Sequence, residues 1–314
     1  MKKILSVFLA LLILAALTAC ATPSPTQAPP AGENSGEPSN NNEPTGNNEP
    51  LANNFDSSKE ISVVSREDGS GTRGAFIELF GVEEKDADGN KKDRTTGEAV
   101  IAGKTAEMMT NVANDPYAIG YVSLGSLNDT VKALEIDGAA ATVENIKNGS
   151  YKIQRPFNIA TKGEATGLAK DFIDFILSAE GQEVVAGKCI PLENMPAYAG
   201  DKPSGKITVG GSTSVAPVMQ DLIEAYKVIN PGAEIVLDET DSSSGMKDAI
   251  EGTCEIGMAS RELKDTELEE LTEIQIALDG IAVITNKANT LTGLTAEQVM
   301  KIYIGEITKW SGLQ

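Results

Sequence analysis

The sequence predicts an α/β protein of two lobes, and three observations carry that expectation. From Ile61 onward, short β-branched runs alternate with amphipathic stretches of helical period, the pattern of strands whose helices pack back onto a sheet. A hydrophobic fraction of 40% suits a globular interior, and 314 residues leave room for two lobes. An aromatic fraction of 4% argues against a stacking platform for sugars or bases.

Taken in chain order, the first element is an export signal: Lys2 and Lys3, an apolar run over 4–17, then small residues. The run is short for a membrane span. It ends in Leu17, Thr18, Ala19 and Cys20, which resembles the bacterial lipoprotein box. Residues 1–20 are thus expected to be a signal, with Cys20 lipidated and holding the protein at the outer face of the cytoplasmic membrane. Residues 21–58 are rich in Pro, Asn, Gly, Ser, Thr and Glu, which cannot offset the entropy of ordering and so predict a tether. Beyond it, strands are expected over 61–65, 118–123, 207–210, 234–237 and 281–285, and helices over 72–80, 98–113, 167–185, 215–228, 245–251 and 296–303. Cys189 and Cys254 fit either a disulfide, which export permits, or two small buried apolar residues.

A net charge of −20 argues against nucleic acid or an anionic membrane surface as partner. With no histidine in the chain, the commonest general base and metal ligand is missing, so no catalytic residues, metal or cofactor are expected.

The residues that carry chemistry lie in the turns that open helices: Gly69-Ser70-Gly71-Thr72, Gly211-Ser212-Thr213-Ser214 and Ser242-Ser243-Ser244-Gly245. The first N–H groups of a helix have no intrahelical partner. Together with the positive end of the helix dipole and the hydroxyls, they form a ready anion socket. One such turn alone reads as an ordinary cap. Three of them, with Arg66 four residues before Ser70, point to an anion.

The segment from Val64 to Arg73, VSREDGSGTR, closely resembles the anion-binding segment of phosphate-binding proteins of the phosphate ABC transporter. Residues 210–217, 242–247 and 257–262 agree with the same family, and 118–121 and 279–283 look like it, so the resemblance spans nearly all of 61–314. It implies the two-lobe type II periplasmic-binding-protein fold, closing on its ligand by a hinge. The segment order is unusual, because the Arg66 segment precedes the Gly-Ser-Thr segment. We read this as a circular permutation in which 196–205 joins the ancestral ends, a change that costs little when those ends are close. The other reading is a fragment of a tandem array. On the permuted order, lobe one is 151–286 and lobe two combines 61–150 with 287–314, with crossings near 148–156 and 285–288.

By residue-to-residue resemblance, Arg66, Ser70, Gly71 and Thr72 would bind inorganic phosphate from lobe two, and Thr213, Ser214, Ser242, Ser243, Ser260 and Arg261 from lobe one. Arg66 would supply a forked, permanently charged contact, with Asp68 holding its guanidinium. The carboxylate that follows the Gly-Ala-Ser segment in other members is replaced here by Arg261 and Glu262, which leaves Glu262, Asp68 and Asp279 as acceptors of a phosphate proton. The resemblance also implies a membrane permease and its ATPase as partners, and the single copy of each family segment predicts a monomer. The alternatives are a surface lipoprotein for phosphate sensing or adhesion, and a binder of another tetrahedral oxyanion.

Overall fold

The computed structural model describes residues 55–87 and 90–313. The export signal, Cys20 and the tether as far as residue 54 lie outside the described residues. Residues 55–58, expected to belong to the tether, are part of the fold. Phe55 lies 5.4 Å from the ring of Tyr117 and 5.8 Å from that of Trp310, and the Ser57 carbonyl accepts from Ser311 N–H.

Eight strands form the main path of one sheet: β1 (Ser62–Arg66), β2 (Val100–Ala102), β3 (Ala118–Ser123), β4 (Gln154–Thr161), β5 (Gly205–Ser212), β6 (Ala233–Thr240), β7 (Ile256–Ala259) and β8 (Thr272–Thr285). Their order is β6-β5-β7-β4-β8-β3-β1-β2. At each end the strands are parallel, β1 with β2 and β3 and β5 with β6 and β7, whereas β4 and β8 pair antiparallel through the middle. The helices that matter below are α1 (Gly71–Leu79), α2 (Thr105–Asn114), α3 (Gly167–Ile176), α4 (Ala179–Val185), α5 (Ala216–Ile229), α6 (Ser242–Glu251) and α7 (Ala296–Tyr303). Among the described residues no helix is long and apolar enough to cross a membrane.

Two large hydrophobic cores lie on this sheet. One gathers Phe76, Met108, Ile119, Tyr121, Ile153, Ile281, Ile302 and Trp310. The other gathers Phe157, Phe172, Val209, Leu222, Tyr226, Ile256 and Ala277. The chain passes from one core to the other between Ile153, just before β4, and Phe157 on it, and between Ala277 and Ile281 on β8. Residues 151–153 and 281–286, expected in lobe one, therefore pack with lobe two, because the crossing is made by long paired strands rather than by connecting loops.

Three helices differ from expectation. The stretch 98–113 is a helix only from Thr105, since Val100–Ala102 form a strand pairing in parallel with Val64–Arg66. The stretch 167–185 breaks at Ser178, whose hydroxyl donates to Phe175 O and accepts from Gly181 N–H, ending one helix and capping the next. Helix α6 begins at Ser242 rather than Gly245, because Asp241 supplies the cap. Cys189 and Cys254 are both free and buried, which decides for the second of their two readings.

Candidate functional site

The parallel strands β1 and β5, together with β7, end at the seam between the cores, and their C-terminal residues bring the candidate side chains there. Ser70 caps α1, its hydroxyl accepting from Arg73 N–H at 3.3 Å. The lobes touch at the two glycines beside it. A Cβ on Gly69 would stand 2.1 Å from Asp241 Oδ1, and one on Gly71 would stand 2.4 Å from Ser242 Oγ. Neither gap admits a side chain, so close approach explains both glycines.

Arg66, at the end of β1, is 2% exposed. Its Nε and Nη2 donate to the two carboxylate oxygens of Glu67, each at 2.7 Å. The other edge of the guanidinium faces hydroxyls: Nη1 donates to Thr105 Oγ1 at 3.0 Å and Nη2 to Thr213 Oγ1 at 3.1 Å. Its backbone N–H donates to the hydroxyl of Tyr121, a group that burial pushes up to about 12, so the phenol stays protonated and also pairs with Ser65 Oγ. Glu67, not the expected Asp68, thus holds the guanidinium. Asp68 points outward and pairs with Arg73 at 2.7 Å.

Around Arg66 the hydroxyls of both lobes meet. Thr72 and Ser214 share a hydrogen bond at 2.7 Å, Thr105 and Thr213 one at 3.1 Å, and Thr105 and Ser214 one at 3.3 Å. Deeper in lobe one, Ser212 donates to Ser260 at 2.9 Å, and the Ser260 N–H donates to Ser242 Oγ at 3.1 Å. Each of these side chains is buried. The result is one guanidinium among neutral donors supplied by both lobes.

Two of the expected residues make no bond to the hydroxyl cluster around Arg66. Ser243 accepts from Arg261 Nη2 at 3.3 Å, and Arg261 forks onto Glu267 at 2.8 Å through both nitrogens. Both line a cavity of about 630 Å³ that also includes Asp68, Ser70, Arg155 and Glu262. The Ser242–Ser244 turn is not an open socket either. Asp241 Oδ1 accepts from the N–H groups of Ser243 and Ser244 at 2.9 and 3.0 Å, so the chain fills that helix end with its own carboxylate. Of the three candidate proton acceptors, Asp68 is exposed. Glu262 is pushed upward by partial burial and by the nearby charges of Glu273 and Glu78. Asp279 is fully buried against Arg155 and Ser123. Burial drives its carboxyl upward, and the guanidinium and hydroxyl oppose that rise.

Sequence reasoning missed Thr105 and Glu67. Thr105 was hidden inside a stretch read as a single helix, although Gly103 before it was a sign that the helix starts there. Glu67 is adjacent to the expected Asp68, and no pattern tells which of two neighbouring carboxylates reaches the arginine.

Two α/β lobes joined by crossing strands and meeting over a buried cluster of one guanidinium and several hydroxyls define a two-lobe periplasmic-type binding protein. The comparisons with known proteins agree. Residues 45–180 and 196–313 match a family model described as a PBP superfamily domain. The chain is 52% identical over 260 residues to the phosphate-binding protein PstS 2 of Streptococcus agalactiae, covering 82% of this chain and 89% of the relative. It is 44% identical to phosphate-binding protein PstS 2 of Streptococcus pneumoniae over the same coverage. The crystal structure of a phosphate-binding protein of a phosphate ABC transporter from Streptococcus pneumoniae matches with a TM-score of 0.65 and 44% identity, over 81% of this chain and 100% of that one. The chain belongs to the PBP superfamily and, within it, to the family of phosphate-binding proteins PstS.

Proposed function

We propose that this chain captures inorganic phosphate between its lobes and delivers it to the permease and ATPase of an ABC transporter, acting as a binding protein and not as an enzyme. The observation that supports this most is the Arg66 edge facing Thr105 and Thr213, with hydroxyls of both lobes around it. A tetrahedral oxyanion leaving water must have its oxygens satisfied by fixed donors, since burying it unpaired is prohibitive. Here each hydroxyl already bonds another hydroxyl. Binding therefore exchanges weak neutral pairs for charge-assisted bonds to the anion and strands no donor.

In this reading Arg66, Ser70, Gly71, Thr72, Thr213, Ser214, Ser242 and Ser260 contact the anion. Ser243, Arg261 and Asp68 support the cleft rim instead. Lobe one is the half holding the Phe157–Ala277 core and lobe two the half holding Val63–Ile153 and Ile281–Trp310. Lipid on Cys20 would keep the monomer at the outer face of the cytoplasmic membrane.

The permuted order is part of the same proposal, and two features support it. The described ends lie side by side: Ile61 N–H donates to Thr308 O at 2.8 Å and Trp310 N–H to Lys59 O at 3.3 Å. The joining segment 196–205 is held by Asp171, which accepts from Tyr198 Oη at 2.5 Å and from Asp201 N–H at 2.8 Å. A relinked chain, opened within 196–205 and closed from 313 to 55, should fold and bind. Its failure to fold would count against the permutation.

Calorimetric titration of residues 51–314 with phosphate, sulfate, molybdate and buffer alone tests the function. Phosphate binding with little response to sulfate is expected. Equal binding of sulfate would favour the broader oxyanion reading, and no binding of any oxyanion would leave adhesion.

A further inference from the structure

We infer that Thr105, the first residue of α2, is a ligand-contacting residue of the anion site and bridges Arg66 to Ser214 of lobe one; this rests on the phosphate reading above. The argument follows the donors of the guanidinium. Glu67 occupies the Nε–Nη2 edge, so an oxyanion must take the opposite edge, formed by Nη1 and Nη2. That edge is now accepted by two hydroxyl oxygens, Thr105 Oγ1 at 3.0 Å and Thr213 Oγ1 at 3.1 Å. An anion that replaces them as acceptor leaves both hydroxyls beside it, and each then turns its proton to the anion. Neither is left unpaired.

Thr105 differs from the other lobe-two hydroxyls in its reach. Its Oγ1 lies 3.1 Å from Thr213 Oγ1 and 3.3 Å from Ser214 Oγ, both in lobe one, besides its contact with Arg66. Thr72 meets Ser214 at 2.7 Å. Thr105 is also 6% exposed and borders the cavity of about 780 Å³ that opens beside the cluster, together with Thr213. It therefore stands where the buried donors meet that cavity. Helix α6, whose first N–H groups are filled by Asp241, leaves the anion fewer donors than three open turns would have given, and the Thr105 hydroxyl makes up the difference.

The test is calorimetric titration of the purified chain with inorganic phosphate for the natural sequence, Thr105→Val, Thr105→Ala and Thr105→Ser, each with a melting curve in the absence of phosphate. Valine keeps the shape and removes the hydroxyl; serine keeps the hydroxyl. Thr105→Val and Thr105→Ala are expected to weaken phosphate about tenfold, the scale of one hydrogen bond to a charged group, while Thr105→Ser recovers to within about threefold. If Thr105→Val packs poorly and melts early, Thr105→Ala and Thr105→Ser still give the contrast. Natural affinity in a folded variant lacking the hydroxyl overturns the inference with the phosphate reading intact. Absence of phosphate binding by the natural sequence overturns both, so the two failures are distinguishable.

Discussion

Two buried arginines, Arg66 and Arg155, share a residue type and a burial, at 2% and 3% exposed, yet they have opposite neighbours. Arg155 on β4 donates through Nε and Nη2 to Asp279 Oδ2 at 3.2 and 3.1 Å and through Nη1 to Ser260 O at 3.0 Å. Asp279 on β8 in turn accepts from Ser123 Oγ at 2.8 Å and Gly125 N–H at 3.3 Å. These acceptors are a carboxylate on β8 and a backbone carbonyl just past the end of β7, both fixed in place by the fold. Arg66 spends one edge on a carboxylate and keeps the other on hydroxyls, which are acceptors an anion outcompetes. The difference teaches that burial of a charge does not mark a site; the displaceability of its acceptors does.

Breaking the Arg155 side should give the largest effect. Asp279→Ala strands a guanidinium in the interior, which is expected to cost about 3–5 kcal/mol of stability. A urea melt checks it. Stability within about 1 kcal/mol of the natural chain, the range of an exposed ion pair, would put Asp279 in a solvated role. Arg66→Ala should behave in the opposite manner, folding normally while phosphate affinity falls at least about tenfold, since one hydrogen bond to a charged group contributes about 1.5–3 kcal/mol. Arg66→Lys should rescue part of that loss, because a point charge cannot reach Thr105, Thr213 and Glu67 at once. Loss of fold in Arg66→Ala would make the two arginines alike and remove the comparison.

The sequence displayed the elements whose signal is local. Helix ends must offer small polar side chains, so Ser70, Thr72, Thr213 and Ser214 stood out, and the first turn of α1 lies one residue from where it was expected. The strands at 118–123 and the helix at 296–303 matched because one apolar period runs through each. What stayed hidden depends on distant partners. Val100–Ala102 is a strand because β1 offers it an edge. Arg155 and Asp279 interrupt the apolar runs of β4 and β8, and their pairing across 124 residues leaves no trace in either run. Asp241 closing its own helix end, and Glu67 taking the place given to Asp68, are choices among adjacent side chains that only geometry makes.

The smallest effects separate those two neighbours and sharpen what holds Arg66. Glu67→Gln has opposing consequences. It loosens the guanidinium, which weakens a forked contact, and it removes a negative charge 2.7 Å from the guanidinium, which strengthens attraction for an anion. The two largely offset, so affinity for phosphate at moderate salt should stay within about threefold, or about 0.7 kcal/mol. The salt response should not stay the same. With one negative charge fewer at a site whose surroundings exclude solvent, phosphate capture becomes more favourable at low ionic strength and falls more steeply as salt screens it. Asp68→Asn has no such lever, because Asp68 is exposed and its pair with Arg73 lies outside the cluster, where ion pairs contribute about 0–1 kcal/mol. Its affinity and its salt slope should both match the natural chain. Titrations of the two variants across a salt series decide the matter: a flat Glu67→Gln together with a steepened Asp68→Asn would mean that Asp68 turns inward once phosphate is bound and that the partner of Arg66 changes with the ligand.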